Sequence, residues 1–286
     1  MLEWKYKLSL HREKTNATAE ITEPLSIIFD ITRTTQTTPN IGKFTVSNLA
    51  ENTRKAFEKM KPVDYVQNGE KVTNYGLDDY CSVIFTAQRE GGIECVMFKG
   101  DLLECHSERS GDEWNTFLNC SDGYFAKRYA SMNGHYKEDS NMKAIVEREC
   151  KKFKLNMELN AEPTNIPVPI TVKEEFDKSL GWIYPNNWYI DNNTLITGTR
   201  KDKTIYRIEQ EQLGKTPKRE QNVLEINTVL FPEPRLGNIV EVQSDDFGEL
   251  GQWEVAGIKH NGEFPAGDME SDFTLIPPGA RYSNEQ

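Results

Sequence analysis

Positive charge, histidine and long apolar runs are all in short supply in this chain of 286 residues, and each shortage closes off a class of function. There are 34 basic residues against 45 acidic ones, a formal net charge of −11. A general duplex-binding surface needs a basic footprint to neutralise phosphate, so none is expected. No apolar stretch approaches the roughly 18 residues that suggest a membrane-spanning helix. Met1 to Arg12 alternates polar and apolar residues and has neither the apolar core nor the small-residue cleavage site of a secretory signal, so synthesis in the cytoplasm is the expectation. The 4 histidines, His11, His106, His135 and His260, lie in separate segments and form no HxH or HExxH pattern. No phosphate-cradling glycine motif, nucleophile elbow or EF-hand loop occurs. The 5 cysteines, Cys81, Cys95, Cys105, Cys120 and Cys150, include no CxxC spacing. The first four lie in or beside expected strands, which suits buried thiols better than structural zinc. No cofactor is implied.

What is present is β-rich patterning. Leu224 to Glu263 holds three short alternating runs separated by turns at Pro232–Gly237 and Gly248–Gly251. Period-two alternation between such turns predicts an antiparallel meander with one face buried, closing into a small barrel or sandwich. The first part of the chain repeats this texture. Leu2 to Leu10, Ser26 to Arg33, Gly42 to Leu49, Tyr80 to Gln88, Glu94 to His106 and Trp114 to Cys120 read as strands, and 62–79 as loop. Between them, Glu51 to Met60 has helical spacing, with Ser47 or Asn48 as a cap and Arg54, Lys55 and Glu58 facing water.

The texture changes after Cys120. Asp122 to Tyr129 reads as a short helix, and Asn141 to Lys154 as a longer one capped by Asp139 or Ser140. Thr171 to Ile183 reads as a further helix. Trp188–Ile190 and Thr194–Thr197 form a hairpin across Asp191-Asn192-Asn193. The 199–222 stretch is mostly polar and supplies an edge strand. The expected architecture is mainly β with α+β character. It has an N-terminal β-barrel domain at 1–123 carrying the 51–60 helix, a small α/β linking domain at 124–200, a C-terminal β-barrel domain at 201–276, and an exposed tail at 277–286.

Candidate chemistry stays scattered. Glu147 and Glu149 are two apart on a helix and point in different directions, so they make no acid/base pair. His260 with Asp268 and a serine makes a triad only on paper. His260-Asn261-Gly262-Glu263 reads as a tight turn at a strand end, with a ligand loop as the alternative. Trp114 and Trp253 read as core aromatics. With no nucleophile, metal set or phosphate cradle, the residues point to a non-enzymatic scaffold whose sheet edges must be covered by assembly. The alternatives are a carbohydrate- or receptor-binding module using Trp182, Trp188 or Tyr189, and a cell-wall hydrolase using His260 or paired carboxylates.

Four stretches carry a family likeness. Leu25 to Arg33 and Phe44 to Leu49, ending in Asn48-Leu49, lead into the charged helix. Phe98 to Asp101 precedes a strand ending in Asp122-Gly123. The third is Ser140 to Leu155 with the Trp188–Thr197 hairpin. The last has a Gly237-led strand and a strand running into His260, Gly262 and Glu263. In this the chain resembles the baseplate hub proteins of tailed phages with contractile tails, the family that includes the hub part of type VI secretion spikes. The resemblance implies a homotrimer whose two barrels per subunit adapt a sixfold tail tube to a threefold central spike. It also implies a channel that passes DNA and the tape-measure protein, contacts with other baseplate proteins, and a place in the virion. The interface residues expected on this reading are Arg54, Lys55, Glu58 and Lys59 on the helix, and Leu224, Ile226, Val229, Val240 and Val242 in the second barrel.

Overall fold

The computed structural model describes residues 3–59, 64–67, 70–73, 79–165, 168–185, 187–202, 204–245 and 248–280. In chain order the first elements are β1 (Trp4–Arg12), β2 (Ala17–Ile21), β3 (Ile27–Thr34), β4 (Ile41–Ser47) and α1 (Glu51–Phe57). Next come β5 (Asp64–Gln67), β6 (Glu70–Thr73), β7 (Cys81–Arg89), β8 (Glu94–Ser110) and β9 (Glu113–Ser121). The middle holds α2 (Tyr124–Tyr129), β10 (Ser131–Tyr136), α3 (Met142–Lys152), β11 (Asn156–Leu159), β12 (Ile170–Glu175), α4 (Phe176–Ile183), β13 (Trp188–Asp191) and β14 (Thr194–Thr197). The last are β15 (Ile205–Ile208), β16 (Lys218–Glu220), β17 (Val223–Val229), β18 (Ile239–Ser244), β19 (Gly248–Phe264) and β20 (Met269–Ile276). The chain is therefore mainly β with a few short helices.

Two compact units result: residues 1–32, 41–122 and 259–270 form the first, and 33–40, 123–258 and 271–286 the second. In the first unit, strand order is β3-β4-β9-β8-β7-β1-β2, antiparallel at each pairing, with β19 beside β3. Alternation puts Ile27, Phe29 and Ile31 of β3 inward while Ile28 and Asp30 face out. The sheet curls on itself, because Phe264 stacks on Phe29 of β3, the first strand of that order, and on Tyr6 of β1, the next to last, with ring centroids 5.2 and 4.7 Å apart. The Tyr6 hydroxyl completes the join, donating to the Leu25 carbonyl at 2.6 Å. These side-chain contacts draw the sheet round on itself, although the strand order ends at β2 without pairing back to β3.

The second unit has two hydrophobic cores. The α/β core forms because α3 and α4 are amphipathic: Met142, Val146 and Cys150, then Phe176, Leu180 and Ile183, turn inward at three- and four-residue spacing. Asn141, one residue past the expected caps, closes the N-terminus of α3 by accepting from the Ala144 N–H. The expected helix over 171–183 starts later, because the alternating Ile170–Glu175 run pairs with β10 as a strand. Similarly, part of the expected loop at 62–79 is the hairpin β5–β6. β13 and β14 turn over Asn192 and Asn193, both at positive φ, as a two-residue hairpin requires.

The other core belongs to the second β-module, built from β15 to β20. Ile208 of β15 and Leu224 and Ile226 of β17 share it, although those strands lie at opposite ends of the order β15-β18-β19-β20-β17. The segment after β15 brings these ends together: Leu213 bridges to Thr228, and the Gly214 N–H donates to the Asn227 carbonyl at 2.8 Å.

The same alternation that seats Ile27, Phe29 and Ile31 carries Arg33 to an inward position, where it is 1% exposed. Its guanidinium reaches Asp191 Oδ1 at 3.4 Å, while Arg200 reaches Asp191 Oδ2 at 3.2 Å and faces Glu158 at 3.7 Å. Asn40 donates to the Ile190 carbonyl and Thr35 to the Ala256 carbonyl, fixing 33–40 within the second unit. Removing one partner of a buried ion pair leaves uncompensated charge. Asp191→Ala is therefore expected to lose about 3–5 kcal/mol of stability, measured by urea unfolding; a loss under about 1 kcal/mol would show that the arginines are satisfied without it.

Candidate assembly surface

The surface around α1 is built by three elements of the first unit. Arg12, on β1, donates to the carbonyls of Ala56 (3.0 Å) and Glu58 (3.2 Å) at the open end of α1, and to Asp79 at 2.7 Å. A cation at a helix C-terminus satisfies orphan carbonyls and complements the dipole. The Asp79 hydrogen bond raises the Arg12 pKa further. Lys59 turns inward beside this contact, 4% exposed, with its ammonium donating to the Asp79 carbonyl at 2.8 Å. Burial pushes its pKa down. Lys59 is thus removed from the expected outward face, because the helix ends at Phe57 and the chain from Lys59 pairs with Cys105 of β8.

Arg54, Lys55 and Glu58 stay at the surface. With Glu51, Ser107 and Trp114 they line an open groove of about 330 Å³. Trp114 is not a core aromatic. It is 37% exposed, and the Arg54 guanidinium lies 3.9 Å from its ring centroid. Asn48 supports this arrangement instead of capping α1. At a positive φ of 56° it accepts from the Trp114 N–H through its side chain and donates its own N–H to the Trp114 carbonyl. Leu49 is buried behind it.

In the second β-module, Leu224, Ile226, Val240 and Val242 are at most 3% exposed and belong to its own core. The expectation that they form a subunit interface is corrected: alternation turns them inward, and only Val229, 58% exposed, faces out. Trp253 is a core residue as expected, whereas Trp188 and Tyr189 are too buried to offer a sugar platform.

The remaining pattern residues have structural work. Asp122 is buried, and Gly123, at φ 61°, donates to Asn193 Oδ1; a side chain there would meet Ile190 at 2.9 Å. Gly237, at φ 80°, donates to the Val255 carbonyl. His260 is fully buried and 260–263 lies inside β19, so neither the tight turn nor the ligand loop is found there. Gly262 is needed because a Cβ would sit 2.6 Å from Met269. Glu263 accepts from the Ser26 hydroxyl at 2.7 Å. All five cysteines are buried free thiols, with Cys81, Cys105 and Cys150 pushed up to about 12 by burial. Glu149 is buried between Arg148 and Lys152. Among the described residues, no cluster of three or more His, Cys, Asp or Glu could hold a metal, and no helix is long and apolar enough to cross a membrane.

The fold is similar to that of phage tail proteins and of a type VI secretion system component. The chain is similar to the 43 kDa tail protein of prophage MuSo2 from Shewanella oneidensis, with a TM-score of 0.62, 10% identity, and coverage of 95% of this chain and 97% of that one. It is similar to the tail protein from Neisseria meningitidis MC58 at TM-score 0.63 and 11% identity, covering 96% and 97%. It is also similar to the E. coli c3393 protein, a type VI secretion component described as resembling the T4 tail proteins gp27 and gp5, at TM-score 0.57 and 12% identity, covering 91% and 75%. No family model and no curated protein sequence matches the chain.

Beside the second unit's pocket at Asn187, Trp188 and Thr199, burial raises the Glu254 pKa above the usual 4.5, although the Gly279 N–H donates to it at 3.0 Å. A carboxyl raised in the folded state binds more protons folded than unfolded, so its contribution to stability falls as pH rises through 4.5 toward the folded value. Glu254→Gln should remove this component: its urea midpoint should gain on the parent as pH climbs from acid to neutral, and a pH-independent difference would contradict the assignment.

Proposed function

We propose that the protein is a structural baseplate hub of a phage tail. Three copies form an adaptor that joins the sixfold tail tube to the threefold central spike, encloses a channel for DNA and the tape-measure protein, and contacts other baseplate proteins. The observation that carries this reading is the likeness to two tail proteins along 95% and 96% of the chain, covering both β-modules rather than one. Two modules per chain give three chains six β-elements, which is how a threefold ring can meet a sixfold one.

The proposed role needs no catalysis and no cofactor. Charge suits it as well: a surplus of 11 negative charges disfavours adhesion of passing phosphate. The protein would be made in the host cytoplasm and end in the tail baseplate of the virion. The α1 surface, with Arg54, Lys55 and Glu58, would meet a neighbouring structural protein, and Val229 would be the exposed apolar contact of the second module.

Light scattering on the purified protein tests the assembly. A particle of three times the 32.8 kDa chain mass is expected. A strict monomer at high concentration, with spike protein added as well, would contradict it.

A further inference from the structure

Among the described residues, Glu254 is the one charged side chain that lines a pocket of about 280 Å³ lying wholly within the second unit. Thr35, Asn187, Trp188, Thr199 and Gly279 are among its neutral neighbours there. The basic residues beside this wall are committed elsewhere. Arg200, next to Thr199, reaches Asp191 at 3.2 Å and faces Glu158 at 3.7 Å. Lys127, whose ammonium lies 5.9 Å from the Trp188 ring centroid, donates to the Thr37 carbonyl at 2.7 Å. Neither offsets Glu254: burial raises its pKa, only the Gly279 N–H opposes that, and no cation contributes.

The carboxylate is fixed from one side. Residues 277–280 form a tight turn, closed by the Ala280 N–H on the Pro277 carbonyl at 2.9 Å, with Pro278 second and Gly279 third at φ 77°. This aims the Gly279 N–H at Glu254 Oε2, 3.0 Å away, and leaves Oε1 without a hydrogen-bond partner among the described residues. Trp188, 4% exposed on the same pocket, has an indole N–H without an acceptor. The wall thus holds a charge without a counter-ion and a donor without an acceptor.

Charge complementarity selects a cation, and the hydrogen bonding selects its kind. A guanidinium pairs best with both oxygens of a carboxylate, and one of these is taken. A lysine ammonium is a compact charge that needs only one oxygen, and it can give its other protons to neutral acceptors such as Asn187 and Thr199. We propose that this pocket receives a lysine side chain of a partner protein, with its ammonium on Glu254 Oε1 and a carbonyl of the adjoining segment available to the Trp188 N–H. The inference goes beyond the hub reading and does not depend on the number of copies in the assembly.

The full chain, labelled with nitrogen-15 at tryptophan, can be titrated with acetyl-Gly-Lys-Gly-amide while the Trp188 indole signal, assigned by its loss in Trp188→Phe, is followed. A saturable shift is expected that weakens with added salt, and acetylating the lysine amine should abolish it by removing the charge. The arginine version of the peptide should bind more weakly, and Glu254→Gln should need about tenfold more of the lysine peptide. Urea unfolding shows whether Glu254→Gln is folded; the comparison of lysine with acetyl-lysine on the parent chain needs no variant. The proposal is overturned if the lysine peptide gives no saturable shift, if the acetylated or arginine peptide matches it, or if folded Glu254→Gln binds as the parent does. Tighter binding in Arg281→Gln would also overturn it, by showing that the chain's own following segment fills the pocket. Failure of the chain to form trimers would leave these outcomes untouched, so the two readings fail separately.

Discussion

A charged side chain delivered to a buried position by strand alternation is the constraint on which the second unit turns. Arg33 occupies the inward register that Ile27, Phe29 and Ile31 establish in β3, and it cannot be left there alone. Asp191, at the end of β13, answers it, and Arg200 shares the same carboxylate. An apolar residue at position 33 would be easier to bury, since a buried ion pair is weak evidence for stability. What the pair supplies is geometric. It joins residues 158 positions apart and ties the 33–40 segment to the strand whose hairpin also anchors Gly123 through Asn193. A polar tie of this kind tolerates few alternative registers.

Each β-module is drawn round on itself in its own way. In the first, aromatic rings around Phe264 bring β3 and β1 together. In the second, the short segment after β15 crosses back to β17. β19 serves both cores, giving Trp253, Val255 and Ile258 to one and Phe264 to the other. In the proposed assembly, association would rest on side-chain surfaces such as the one around α1 and Trp114.

Much of this was legible in the sequence. Alternation marked β1, β3, β4, β7 and β8, and the Leu224–Glu263 stretch does contain strands of a β-module, but not as the expected meander: β17 pairs with β16 and β20 and not with β18, and Gly248 and Gly251 lie inside β19 and not in a turn. Helical spacing located α3, and Asp191-Asn192-Asn193 located the β13–β14 hairpin. Misreadings arose where local pattern competes with long-range pairing. Ile170–Glu175 looks helical alone and is a strand because β10 is available beside it. Asn261-Gly262 has the composition of a turn, yet Gly262 is there for close approach to Met269. The candidate site was half visible. Arg54, Lys55 and Glu58 were identified from helix periodicity, but Trp114 appeared to be core because sequence does not reveal which strand end projects beyond the sheet. Lys59 went the other way, since its partner Asp79 lies 20 residues downstream. Leu224, Ile226, Val240 and Val242 were readable as strand residues, and alternation placed them correctly on one face; that face is the module's own core.

The central claim is that the two β-modules of each chain let three chains present six elements around an opening. Electron microscopy of the purified assembly, averaged without imposed symmetry, tests this most directly. The account predicts a threefold particle with a central hole rimmed by six similar densities. A compact particle with no hole, or a rim that does not divide into six, would contradict it.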